Sequence, residues 1–201
     1  MPLVLTLSLD DVAAAFQHKQ YHLKIRPYEF NVFGVRASGG ATNTFNDALG
    51  VYYLDYGHSP CLQYWPATTD PGFFYLEHPE NVNGTAIVVP GQYADSHIVG
   101  KHHGQYRALV QNTSIKVYRD NNKDDTYDMN PKSIQGGIFG INIHHAGAHS
   151  TQVADWSAGC QVFANLDDFN VFMLLVDQNI AEGYGEIFTY TLFDEADLSA
   201  H

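Results

Sequence analysis

The chain has 201 residues and a formal net charge of −12, with ten Lys and Arg against 22 Asp and Glu. So few cations argue against a nucleic-acid backbone or an anionic membrane surface as partner. Hydrophobic residues at 45%, 13% of the chain being aromatic, exclude a disordered polypeptide and suffice for a substantial core.

The first residues, MPLVLTLSLDDVAAAF, are apolar but carry no basic segment and soon meet Asp10 and Asp11, so they do not read as a signal peptide. No apolar run approaches the roughly 18 residues of a membrane span, and the sequence assigns no localisation. Ser8-Leu9-Asp10-Asp11 has the form of a capping box and predicts a helix over residues 9–19. Alternation in EFNVFGVRA predicts a strand within residues 28–37, followed by a Gly39-Gly40 loop. GVYYLDYG is a further strand, and residues 62–65 lead into a Thr-Thr-Asp-Pro-Gly turn. Residues 73–76, 85–89 and 106–111 are read as successive strands. Turn signals about every ten residues predict a mainly β fold, a sandwich or barrel, with one helix at the N-terminus and one after Cys160. With no repeat or linker, residues 1–50 are expected to pack as helix and strand on a core formed by 51–201, in one compact unit.

Within IKVYRDNNKDDTYD, the residues Asp120, Asn122, Asp124 and Asp128 occupy positions one, three, five and nine of a calcium-loop spacing. Position six is Asp125 rather than glycine and position twelve is Pro131 rather than glutamate, so a calcium site and a solvated hairpin turn both stay open. No zinc pattern emerges; His102 and His103 are adjacent, and are read as surface or strand residues, with a place in the lining of the cleft as the alternative. Beyond residue 160, Asn165 is an N-cap with Asp167 and Asp168 in the first turn, and Phe169, Phe172, Met173, Val176 and Ile180 recur at helical spacing. Gly183 and Gly185 end that helix, and residues 186–193 form a last strand.

The chemistry concentrates in residues 140–163, GINIHHAGAHSTQVADWSAGCQVF. A free thiol titrates near pH 8.5 and needs a neighbouring base to become a nucleophile at neutral pH, a task suited to imidazole. Gly159 permits a tight turn that would aim its own N–H and that of Cys160 at a developing oxyanion, and Ser157 is placed to donate a hydroxyl or hold the loop. His144 is the preferred base because it follows the strand-like Ile143; His145 and His149 are its rivals. Cys61 and Cys160 lie ninety-nine positions apart, and one disulfide between them, which would block the nucleophile, stays open.

The order Ile143-His144, loop, Ser157-x-Gly159-Cys160 resembles the signature of the L,D-transpeptidase catalytic-domain family, and Thr68-Thr69-Asp70-Pro71-Gly72-Phe73 is similar to its Thr-Pro-x-Gly-x-Phe turn, which opens a strand. The resemblance covers about residues 51–163 and looks divergent, like phage-associated and gut-bacterial relatives. His145 replaces a small residue, Ala158 a frequent histidine, and Gln161-Val162 stand where the family has Ile or Val followed by Arg, so a cation for a substrate carboxylate is missing there. It implies an L,D-transpeptidase-like fold and acyl transfer or hydrolysis on peptidoglycan stem peptides through a thioester at Cys160, with no required cofactor. The competing expectations are a non-catalytic module that binds cell-wall peptide or serves structurally, and a calcium-dependent adhesion module. Nothing in the sequence bears on oligomeric state.

Overall fold

Ser8 starts the first helix as a capping box requires: its Oγ accepts from the Asp11 N–H at 3.1 Å, while the Asp11 carboxylate accepts from the Ser8 N–H at 3.3 Å. The computed structural model describes residues 5–39 and 42–198, so Gly40 of the expected Gly39-Gly40 loop lies outside the described residues. Helix α1 (Leu9–His18) buries Val12, Ala15 and Phe16, one stripe at helical spacing, against Phe33, Val35, Ala48 and Tyr52.

Those partners explain the unbroken burial of β1 (Asn31–Arg36) and the near-continuous burial of β2 (Asp47–Leu54). Along β1 and β2, Val32, Leu49, Val51 and Tyr53 enter the main core, and the residues alternating with them face α1. The chain continues through β3 (Pro60–Thr68), α2 (Phe73–Glu77), β4 (Thr85–Val88), β5 (Gly91–His102), β6 (Tyr106–Gln111), β7 (Ile115–Asp120), β8 (Gln135–Gly137), β9 (Ile143–His145), β10 (Gln161–Phe163), α3 (Leu166–Ala181) and β11 (Ile187–Asp194). Residues 73–76 are therefore a helical turn and not the strand read from the sequence. Gly72 caps it, its carbonyl accepting from the Tyr75 and Leu76 N–H groups, and only Leu76 of the apolar run is buried. A four-residue apolar run carries no period that separates the two conformations.

Eight strands close into a barrel in the order β1-β11-β5-β6-β9-β10-β3-β2, and β4-β7-β8 form a separate sheet. The fold is thus mainly β, as composition and turn spacing implied. Two barrel pairs are parallel, β1 with β11 and β9 with β10. Parallel neighbours cannot be joined by a tight hairpin and need a crossover of a dozen or more residues; here residues 146–160 are that crossover. Asn165 caps α3, its Oδ1 accepting from the Asp168 N–H at 2.9 Å, and Phe169, Phe172, Met173 and Val176 pack on the barrel core beside Phe163, with Ile180 half-buried at its rim. No helix among the described residues is long and apolar enough to cross a membrane.

Candidate active site

Parallel pairing of β9 with β10 brings the two ends of the crossover together. Val162 lies beside His144 and Gln161 beside Ile143, which sets Cys160 next to Asn142. The Asn142 N–H donates to Cys160 Sγ at 3.4 Å, and Sγ faces the Gly140 carbonyl at 3.4 Å. His144 and Cys160 line one cleft of about 830 Å³, to which both sheets contribute walls.

Successive strand residues point to opposite faces, and this separates the rival histidines. His144 is buried and lines the Cys160 cleft. His145 lies on Phe169 with ring centroids 5.1 Å apart and faces a different groove, beside Met173. His149 is exposed within the crossover.

The His144 imidazole is held by one nitrogen. Nδ1 lies 2.9 Å from the His145 carbonyl and 3.1 Å from Tyr106 Oη, and a carbonyl can only accept, so the proton is on Nδ1. Nε2 is buried and has no partner among the described residues. The His102 ring stacks on His144 at 3.9 Å, its Nδ1 facing the Asn142 side-chain amide at 3.0 Å. Burial, then the neighbouring His102, push the His144 pKa down to about 3, and burial brings His102 down to about 4. Burial pushes the Cys160 thiol up to about 11, although the residue keeps part of its surface in the cleft. The resting pair is therefore a neutral thiol and a neutral imidazole.

The nucleophile loop is clamped locally. Ser157 is fully buried; its Oγ donates to the Cys160 carbonyl at 2.8 Å and accepts from the Gly159 N–H at 3.1 Å. That bond corrects the expected pair of oxyanion donors, because the Gly159 N–H is taken up by the serine and only the Cys160 N–H is left without a partner among the described residues. Gly159 itself sits at φ +123°, where a Cβ would lie 2.5 Å from the Ala86 carbonyl oxygen. The upstream turn meets this loop: the Gly72 N–H donates to the Ser157 carbonyl at 2.8 Å.

Gln161, the residue after the cysteine, is fully buried. Its Nε2 donates to the Thr69 and Gly159 carbonyls, both at 3.2 Å, and its Oε1 accepts from Tyr190 Oη at 2.6 Å. Behind it Arg36 pairs with Asp70 at 2.8 Å, and Asp47 accepts from the Thr69 N–H at 2.7 Å, so an interior polar network anchors the loop from below. Gln111 fixes the other wall; its Oε1 accepts from the N–H groups of Phe139 and Ile141, each at 2.9 Å. Asn142, Tyr106, Gln111 and the cleft cation Arg119 carry no local sequence signal, because strand pairing alone brings them to the cysteine. His102 lines the cleft, one of the places its sequence reading allowed, and its stacking on His144 follows from its place at the end of β5.

The expected calcium ligands sit in the loop after β7 and hold one another. The Asn122 amide donates to Asp124 at 2.7 Å and Asp128 at 2.9 Å, Asp120 accepts from the Asp128 N–H at 2.9 Å, and Asp124 also accepts from Thr126. No cluster of three or more His, Cys, Asp or Glu is arranged for a metal among the described residues. Cys61 and Cys160 are both free thiols. No family model matches the chain, and no curated protein or solved structure matches it.

Proposed function

We propose that the protein is a cysteine acyl transferase or hydrolase of the L,D-transpeptidase or L,D-peptidase type, with an L,D-transpeptidase-like fold, acting on peptidoglycan stem peptides through a thioester. The observation that carries this reading is the buried, unpartnered Nε2 of His144, oriented through Nδ1 by a backbone carbonyl in the cleft that holds Cys160. An orphaned buried acceptor costs about 1–3 kcal/mol, and a lone pair kept free for proton transfer accounts for that cost.

With the thiol near 11 and the imidazole near 3, no standing ion pair forms, so proton transfer accompanies attack. His144 Nε2 takes the Cys160 proton as sulfur bonds to an amide carbonyl carbon. The Cys160 N–H is the donor available to the oxyanion, and collapse expels the amine with the proton returned from Nε2. An incoming amine or water, deprotonated by the same nitrogen, then attacks the thioester and regenerates the thiol. The chemistry requires no cofactor.

Chromatographic assay of a stem tetrapeptide with wild type and three variants tests the reading. Cys160→Ala is expected to abolish conversion and His144→Ala to lower it by at least about 100-fold. His145→Ala, on the opposite face, should retain more than about half. Conversion by Cys160→Ala, or equal loss in both histidine variants, would defeat it. The raised thiol pKa favours a second reading, a module that binds cell-wall peptide without turnover; stem-peptide binding with no conversion by wild type would establish it.

A further inference from the structure

Arg119 lines the same cleft as Cys160 and has no carboxylate partner among the described residues, although it is only 9% exposed. The other arginines among the described residues, Arg26, Arg36 and Arg107, each pair with an acid. The Arg119 guanidinium is nonetheless held firmly: Nε donates to Gln135 Oε1 at 3.0 Å, Nη1 donates to the Gly84 carbonyl at 3.1 Å, and Cζ lies 4.5 Å over the Phe139 ring. Nη2 has no partner among the described residues.

Its position is tied to the thiol on two sides. Arg119 pairs with Ala86 across β4 and β7, and directly opposed residues of an antiparallel pair share a face. A Cβ on Gly159, the residue before the nucleophile, would touch the Ala86 side chain at 3.1 Å. Phe139, under the guanidinium, precedes Gly140, whose carbonyl faces Cys160 Sγ. A cation buried without a countercharge is costly unless a ligand supplies one. Fixing two corners of the fork leaves the rest aimed with little entropy to lose on binding. Glu80 and Asp155 elsewhere on the lining oppose a second anion, which confines an acidic group to the arginine.

We propose that Arg119 is a specificity-determining residue that binds a free carboxylate of the peptide presented to Cys160, doing from β7 what no residue at positions 161 and 162 does. The proposal rests on the cysteine reading for the peptide nature of the ligand, but its test reads binding rather than turnover.

The probes are N-acetyl-L-alanyl-D-alanine and its C-terminal amide, titrated by calorimetry into Cys160→Ala with and without Arg119→Gln. The acid should bind at least about tenfold tighter than the amide, as expected for a charge-assisted pair. The preference should fall to within about twofold in the double variant, with Arg119→Lys in between. Because Arg119 also braces Gly84 and Gln135, a second readout keeps the arginine: in 15N-labelled Cys160→Ala, the Arg119 Nε–H resonance should move with the acid and not with the amide. Equal binding of acid and amide, a preference that survives Arg119→Gln, binding of neither probe at millimolar concentration, or a still Nε–H resonance would overturn the proposal. An arginine-dependent acid preference in a protein whose wild type turns over no stem peptide would sustain the subsite while removing the acyl-transfer reading.

Discussion

Gly159→Ala is expected to lower the stability by about 2–4 kcal/mol and acyl transfer by more than about 100-fold. At φ +123° an L side chain is strained whatever the space, and a methyl group would also press on the Ala86 carbonyl oxygen, which β4 cannot easily withdraw while its strand is paired to β7. Relief has to come from the nucleophile loop. Moving it breaks the Ser157 clamp on Gly159 and Cys160 and turns the one free oxyanion donor away. Thermal denaturation and the stem-peptide assay on the same preparation check both effects. Ser157→Ala removes the clamp without the clash and should cost less, about 1–2 kcal/mol.

Stability is expected to fall as the pH drops from 6.5 towards 5. His97 is buried, its Nε2 3.0 Å from the Ile141 carbonyl, and burial lowers its pKa to about 4; His102 is held near 4 and His144 near 3. Each titrates near 6.5 when unfolded, so in this window the unfolded chain binds protons that the folded one refuses. Their stabilisation is complete above 6.5 and is lost as pH falls towards the folded values. Asp47 acts in the opposite sense: burial, and then Asp70, raise it to about 7, so its contribution is full below 3.8 and lost as pH rises through 7. Asp70, Asp120 and Asp194 are also raised by burial and act in the same sense as Asp47. Between 6.5 and 5 three histidines with folded values near 3 to 4 stand against Asp47, whose folded value is near 7. Urea midpoints should therefore fall with acidification, and His97→Gln, outside the proposed chemistry, should reduce the slope by up to about 1.4 kcal/mol per pH unit. A flat wild-type profile, or an unchanged slope in the variant, would contradict this.

The parts of the molecule that the sequence disclosed are those specified by neighbours in the chain. Ser8 with Asp11, and Asn165 with Asp168, carry their caps within one turn, and both helices start where those residues stand. The alternation in β1 is legible in the sequence, but its cause, α1 covering one face and the barrel core the other, is not. Strand β5 went unread because its twelve residues mix exposed polar and half-buried positions. The three-residue strands β9 and β10 are too short to show a period and exist through their mutual pairing. That pairing is also what the histidine-to-cysteine spacing encodes, a crossover between parallel neighbours. The choice between His144 and His145 needed only the face each occupies. Arg119, Asn142 and Tyr106 come from other strands and loops and became visible only in three dimensions.

A thioester at Cys160 is tested most directly by intact-mass analysis of the protein quenched in acid during turnover of a stem tetrapeptide. Wild type is expected to carry the mass of the acyl group, lost on treatment with hydroxylamine and mapped to the peptide containing Cys160. Cys160→Ala should carry none, and His144→Ala should accumulate it at least about 100-fold more slowly. Turnover with no adduct in wild type under single-turnover sampling, or an adduct mapped to Cys61, would contradict a thioester at Cys160.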